Sequence, residues 1–393
     1  MLRSKKIIKD FFSKIEARYR NFLFFRKLKA TTEPVVFFIP YHRFGGSETV
    51  HKEIISIAGS RAFVVYTFSS GGFNIDSADN PRNFLFCPGI EPHSKDGKKL
   101  IDCLNKNTHP IFLGSNSVSF YHFLPFLSAH VARIDLIHAL SFPDSGIEDL
   151  AIEYSAHIMN RVCISESIRK GMMKKALKAG IPEKRMPAMK VIHNSLDYAG
   201  FTTNNPDILL DRSAVGFVGR ASKEKRPEVF KGIAEAAMQV LPGWTFHMFG
   251  TYNKAITEGN ITYYPPTSDV GEVVNWMNKT LTILVVCSYR EGFPMVISEA
   301  AYAGIPVLST AVGSVPDFID HGHNGWLVPL DFEKETTITQ LANSLQHIVN
   351  SRAEFQKVAE NCHEIVTKHF RPEIFKQDWT EMLAYPKTFK KLR

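Results

Sequence analysis

Nowhere in these 393 residues do about 18 apolar side chains run together, the length a helix needs to cross a bilayer. The longest apolar runs, such as Val35 to Ile39 and Ile283 to Cys287, have the length of strands. Integral membrane insertion is therefore not expected. Cysteine is scarce and odd in number, with five residues at 87, 103, 163, 287 and 362 and no CxxC pair. That pattern argues against a disulfide framework and a zinc site, and it suits a reducing compartment. Short repeats and low-complexity tracts are missing, so solenoids and propellers are not expected. The N-terminal apolar run Phe22 to Phe25 is too short for a signal-peptide core, which leaves the cytoplasm as the expected location.

Acidic residues are nearly missing from the first 29 positions, where ten Lys or Arg face only Asp10 and Glu16. The formal net charge of the whole chain is +8, so everything after the arm is neutral on balance. Nucleic acid is not an expected partner, because an enzyme acting on it spreads basic residues along its binding face. Within the arm, Ile8, Phe11, Phe12, Ile15, Tyr19, Phe22 and Leu23 recur at spacings of three and four, which makes one apolar stripe on a helix. Lys5, Lys9, Lys14, Arg18, Arg20 and Arg26 flank it. This composition predicts a helix lying on an anionic membrane surface, with a helix packed on its own domain as the competing expectation.

After Pro34 short apolar strands alternate with helices, the signature of parallel sheets covered on both faces. Val35 to Ile39 reads as a buried strand, Gly45-Gly46 as a tight turn, and Glu48 to Ala58 as a helix capped by Ser47. Ala62 to Phe68, Pro110 to Leu113 and Ile134 to His138 read as further strands. A second set follows. Its strands are Ala214 to Val218, Trp244 to Phe249, Leu281 to Cys287 and Ile305 to Ser309, and a helix from Arg226 to Val240 lies among them. The polar stretch Asp197 to Asp211 reads as the linker. The expected division is a basic membrane-surface helix over 1–29, a Rossmann-like acceptor-side domain over 30–200 and a second Rossmann-like domain over 201–370. A C-terminal helix, roughly Pro372 to Leu383, lies in the remaining residues, 371–393. The two doubly wound domains would face a cleft.

The most informative stretch runs from Ser288 to Gly304. Pro294 suits the first turn of a helix and Gly304, followed by Pro306, suits its end, which predicts a helix from Met295 to Ala303. That helix follows a strand, and open α/β sheets bind ligands at the carboxyl edge of their strands. The amides of Gly292, Phe293, Met295 and Val296 at its start form a site for an anionic phosphate. Glu291 and Glu299 bracket the same helix start. Arg220, just after the strand Ala214 to Val218, and Lys225 five residues later can aim at the same cleft. Two unit charges 4 Å apart attract by about 4 kcal/mol at an effective dielectric of 20, enough for such cations to do the work of a metal against a departing diphosphate. No metal ligand set is expected.

In these motifs the chain resembles the retaining glycosyltransferases of family 4, which have the GT-B fold of two Rossmann-like domains. The resemblance covers residues 35 to 383. It rests on Gly45-Gly46-Ser-Glu48, Ile164-Ser165-Glu166, Val191 to Asp197, Val218-Gly-Arg220 with Lys225, Glu291-Gly-Phe-Pro294 with Glu299, and Gly313 to Asp317 with Asn324-Gly325. It implies that Arg220 and Lys225 bind the donor's diphosphate, that Glu299 holds the nucleotide ribose, and that Glu291 contacts the transferred sugar. It also implies that Gly46 lets the backbone approach the phosphates, that His138 is an active-site histidine, and that the last helix crosses back onto the first domain. Two departures stand out. Asn194-Ser-Leu-Asp197 lacks the family's usual glycine, and Tyr264-Pro265-Pro266 alters the loop that meets the nucleotide base.

The function expected from the resemblance is retaining transfer of a sugar from a UDP- or GDP-sugar to a growing surface glycan or glycolipid, of the lipopolysaccharide or capsule kind. No cofactor beyond the donor is expected, and the place is the cytoplasmic, inner face of the membrane. The alternatives are a sugar-nucleotide epimerase on the same fold and a non-enzymatic binding protein that kept it.

Overall fold

The computed structural model describes residues 2–40, 46–67, 83–141, 145–195, 209–267 and 269–384, with side chains from Glu16 onward. Two seven-stranded sheets organise the chain. The first contains β1 (Val35–Ile39), β2 (Ala62–Tyr66), β3 (Phe84–Phe86), β4 (Ile111–Ser115), β5 (Ala132–Ile137), β6 (Asn160–Cys163) and β7 (Ala188–Val191). Its order is β3-β2-β1-β4-β5-β6-β7, with every neighbouring pair parallel. Residues of β1, β2 and β4 are buried along their whole length, as a parallel sheet sandwiched between helices requires.

The second sheet contains β8 (Ala214–Val218), β9 (Thr245–Phe249), β10 (Ile256–Glu258), β11 (Ile261–Tyr264), β12 (Ile283–Val286), β13 (Val307–Thr310) and β14 (Trp326–Val328). It runs β10-β11-β9-β8-β12-β13-β14. The expectation of purely parallel sheets is corrected at its edge. β10 and β11 are antiparallel, because Gly259, at φ +60°, and Asn260 make a two-residue reversal between them.

Each sheet reverses its winding at one place, between β1 and β4 in the first and between β8 and β12 in the second. Such switch points open a crevice beyond the carboxyl ends of the strands. The chain leaving these four strands supplies Gly46, Ser115, Arg220 and Glu291.

The N-terminal helix α1 spans Leu2–Ala30. Its last turns pack on the first domain. Phe24, Phe25 and Leu28 are buried. Phe24 meets Phe63 edge-on at 5.5 Å, and the Lys99 ammonium sits 4.2 Å above the Phe25 ring. Tyr19 and Phe22, by contrast, are 60% and 55% exposed. They belong to the stripe read from the sequence, whose members Ile8, Phe11, Phe12 and Ile15 lie outside the residues with described side chains.

The helix after β1 is α2 (Gly46–Ala58). It starts two residues earlier than expected, so Ser47 lies inside it and donates to Glu48 at 2.9 Å instead of capping. Gly45 and most of the expected linker lie outside the described residues. The final helix, Pro372–Leu383, packs on the first domain as the resemblance implied. Arg61 donates to the Leu383 carbonyl at 3.0 Å, and Lys190 pairs with Asp378 at 2.6 Å.

Candidate active site

Three short loops carry the second domain's part of the site. After β8, Gly219-Arg220 leads into a single 3-10 turn, Lys223–Lys225. Arg226 follows at φ +56° with its guanidinium anchored on the Asp331 carbonyl at 2.8 Å, and the next helix begins at Pro227, one residue later than the sequence suggests. The loop after β12 is tied to this turn through Tyr289 N–H donating to the Glu224 carbonyl at 3.1 Å. Lys225 thereby reaches Glu291, with which it forms a very short hydrogen bond and ion pair. Ser288 Oγ donates to the same carboxylate oxygen at 2.9 Å and fixes its rotamer.

The helix Met295–Tyr302 starts one residue after Pro294, and its first turn carries no side-chain cap. Its opening amides thus stand available to an anion beside Lys225. Glu299 lies on this helix. Burial pushes its carboxyl up to about 7, with Lys225 pulling it back down, so near neutral pH it is divided between acid and carboxylate. Lys225 therefore acts electrostatically on both glutamates.

Arg220 sits at the rim. Its side chain is 60% exposed and 3.8 Å from Glu224. Burial raises the Glu224 carboxyl, but its backbone bond, Ser222, Arg220 and Arg290 outweigh that and hold it below the usual glutamate range. Arg290 is thus a further cation at this rim, and the sequence reading passed over it although it precedes Glu291 directly. The geometry gathers Lys225, Glu291 and Glu299 and leaves Arg220 beside them.

The first domain closes over these loops. His138 follows β5 directly, and its carbonyl lies against Gly292 so tightly that a Cβ there would stand 1.7 Å from that oxygen. Gly313, at φ +55°, is packed as closely on the Glu291 carbonyl. Gly46, at the start of α2, faces Met295, and a Cβ on it would come within 2.9 Å of the Met295 Cγ. The Phe293 ring is not directed to a ligand. It stacks on Phe370 at 4.6 Å and meets Phe318 edge-on at 4.5 Å, while its backbone remains with the loop.

Two further links join the domains. Ser165 and Ser314 share a buried hydrogen bond of 2.6 Å, and Asp317 accepts from the Ser167 amide at 2.8 Å and from its hydroxyl at 2.5 Å. Ser165 and Ser314 sit in two motifs that the sequence singled out without assigning them roles.

His138 is not alone. His51 of α2 places Nε2 2.9 Å from His138 Nε2 and 2.9 Å from Ser115 Oγ, and both rings are buried. Desolvation lowers both imidazoles, His138 to about 4 and His51 well below the usual value with a further push from His138. Both are neutral at physiological pH. Tyr264 ends β11 and lies parallel to Phe249 at 5.9 Å.

Among the described residues, no three His, Cys, Asp or Glu side chains cluster as metal ligands would. A concavity of about 690 Å³ lined by Lys27, Thr31, Ile55, Ser56 and Asn83 lies at the amino edge of the first sheet, away from all of these groups.

Two doubly wound domains with their switch points turned to one cleft define the GT-B architecture. Residues 204–365 match the family described as glycosyl transferases group 1. That match lies in the second domain and spans less than half of the chain. A 41.2 kDa protein of the cps region of Klebsiella pneumoniae, itself uncharacterised, is 26% identical over 216 residues, covering 50% of this chain and 54% of that protein. An exopolysaccharide phosphotransferase of Streptomyces coelicolor is 27% identical over 152 residues, covering 36% of this chain and 15% of that protein. The chain thus spans about half or less of the curated relatives it matches. Among solved structures, Anabaena Alr3699/HepE in complex with UDP-glucose superposes with a TM-score of 0.68 at 18% identity. That match covers 89% of this chain and 99% of HepE, and it shows the shared fold. Among the described residues, no helix is long and apolar enough to cross a membrane.

Proposed function

We propose that this chain is a retaining, metal-independent glycosyltransferase that moves a sugar from a UDP- or GDP-sugar to a hydroxyl of a growing surface glycan or glycolipid. The observation that carries this reading is the placement of Lys225 between Glu291 and Glu299, beside a helix start whose first turn has no side-chain cap. A sugar diphosphate offers groups in matching order: hydroxyls for Glu291, phosphates for Lys225, Arg220 and the amides of Gly292, Phe293, Met295 and Val296, and a ribose for Glu299. In the transfer, the bond from the anomeric carbon to the diphosphate oxygen breaks as the acceptor oxygen bonds to the same face. The leaving diphosphate takes the acceptor's proton. Lys225, Arg220 and the amides stabilise the charge developing on it, a preorganised contribution that a mobile solvent does not provide. His138 lines the sugar's side from the first domain.

The names of the two relatives, one an exopolysaccharide enzyme and one from a cps region, support a surface glycan as the product. The exposed Tyr19 and Phe22 on the basic α1 support action at the inner membrane face, where aromatic side chains enter the headgroup layer and cations meet anionic lipid. Deleting residues 1–29 would remove Phe24, Phe25 and Leu28 from the core, on the order of 5 kcal/mol of apolar burial, so surface substitutions are the proper test.

A panel of UDP-, GDP-, ADP- and CMP-sugars should contain one that raises the melting temperature, because a bound donor stabilises only the folded state. With that donor, Arg220→Ala and Lys225→Ala should each lose on the order of a hundredfold in turnover. NMR of the product should show the donor's anomeric configuration kept. Wild-type turnover in both variants at saturating donor, or an inverted product, would defeat the reading.

A further inference from the structure

We propose that His51, held by Ser115, is a positioning residue that fixes which ring nitrogen of His138 carries the proton. The inference rests on the reading of the cleft as a glycosyl-transfer site, and it adds residues that neither the family match nor the motifs single out.

The two rings share one contact. Nε2 of His51 and Nε2 of His138 are 2.9 Å apart, a hydrogen-bond distance between two nitrogens. Both rings are neutral, so only one of the two nitrogens can bear hydrogen. The protonation of one Nε2 therefore dictates that of the other, and through it the state of the His138 Nδ1. If His51 carries the proton, His138 is bare at Nε2 and presents Nδ1–H. If His138 carries it, His138 presents a lone pair at Nδ1.

Ser115 decides between the two. Its hydroxyl is 1% exposed, lies 2.9 Å from the same His51 Nε2, and makes that single side-chain hydrogen bond among the described residues. With the proton on His51, the Ser115 hydroxyl hydrogen is buried without an acceptor, an arrangement folded proteins avoid. With the proton on His138, the bare His51 Nε2 is the acceptor that Ser115 O–H and His138 Nε2–H share, so the serine hydroxyl hydrogen has a partner. His138 then carries its lone pair on Nδ1, suited to accepting from a hydroxyl rather than donating to an oxygen. The three residues come from α2, the end of β4 and the end of β5. β1, which leads into α2, lies beside β4, and β4 beside β5, so the sheet order builds the triplet.

The test uses the full chain labelled with ring ¹⁵N histidine, with His138 assigned by its disappearance in His138→Gln. Long-range ¹H–¹⁵N spectra of the wild type should show His138 in one tautomer, protonated at Nε2. In Ser115→Ala, which removes one oxygen and little packing, His138 should become a mixture of tautomers. His51→Ala should lower kcat about tenfold, the scale of one net hydrogen bond, with donor KM moved less than twofold. His51→Gln, whose side-chain carbonyl can accept from the same N–H, should restore the Nε2-protonated tautomer and most of kcat. An unchanged spectrum in Ser115→Ala, a wild type protonated at Nδ1, or a His51→Gln variant as impaired as His51→Ala would overturn the proposal. If the wild type transfers sugar from none of the nucleotide sugars, the functional reading fails, while the spectra still decide the coupling of the histidines.

Discussion

Among the described residues, His51 and His138 meet on the first domain's side of the cleft, buried together and held neutral by desolvation. On the second domain's side Lys225 is ion-paired with Glu291 and acts electrostatically on Glu299, with Arg220 and Arg290 at the rim. The difference follows from what each wall is made of. The first is lined by α2 and the ends of two interior strands, where neutral hydrogen bonding serves the buried rings. The second is lined by loops and a helix start, where amides and water support charge. Division of labour follows: the charged wall can hold a nucleoside diphosphate by itself, and the neutral wall can orient hydroxyls without competing for the phosphates.

The largest expected effect comes from the point where the walls touch. Gly292→Ala places a Cβ 1.7 Å from the His138 carbonyl, with backbone on both sides that cannot give way. Each domain should keep its own fold by circular dichroism, and donor should still bind the charged wall. Turnover should fall at least a hundredfold, the cost of an ångström-scale misplacement. Near-normal turnover would mean that the walls work apart during reaction.

Stability against pH sharpens the contrast, because the walls have opposite slopes. Glu299 titrates near 7 when folded and near the usual glutamate value when unfolded, so between about 4.5 and 7 the folded state holds more protons and stability drops as pH rises. Glu299→Gln should therefore raise stability at pH 8 by on the order of 1–3 kcal/mol, read as a higher melting temperature, while weakening donor binding. The histidines act the other way. From pH 6.5 down to about 4 the unfolded chain binds protons that buried His138 refuses, so stability falls by up to about 1.4 kcal/mol per pH unit for each such ring. Denaturant titrations of His138→Gln should show that acid slope flattened; an unaltered slope would mean that His138 already protonates in the folded state.

The smallest effect on stability, and a separate one on location, belongs to α1. Tyr19→Ser with Phe22→Ser should change stability by less than about 0.5 kcal/mol, because both are exposed. Cosedimentation with anionic liposomes should fall severalfold. Undiminished cosedimentation would remove the membrane from the reading of this helix.

Much of the fold was legible because parallel strands buried on both faces are continuous apolar runs. β1 and β8 fall at the residues the sequence suggests, and Pro372 and Leu383 bound the last helix as expected. β6 was hidden because it carries Asn160 and Arg161. Arg161 is fully buried, paired with Asp135 at 2.9 Å, which in turn accepts from Tyr121 at 2.8 Å. Hydropathy reads that ion pair as surface, whereas in the fold each charge has its partner. β7 was hidden for the opposite reason: it is half exposed throughout at the sheet's edge.

Of the site, Lys225, Glu291 and Glu299 were legible through spacing around one helix start. His51 and Ser115 were not. Each reads as an ordinary position on a helix or strand, and only the adjacency of strands far apart in sequence brings them to His138. The same holds for the serine and aspartate contacts between the domains, whose partners are about 150 positions apart.

The return of the C-terminal helix means that the chain passes between the domains twice, once between Ser195 and Leu209 and once between His369 and Pro372. His193, just before the first passage, and His369, at the second, meet edge to face at 5.9 Å. The described ends of the two passages therefore lie side by side. Under the proposed function, adjacent passages predict that the cleft opens by rotation, widest where its walls are farthest from the paired imidazoles.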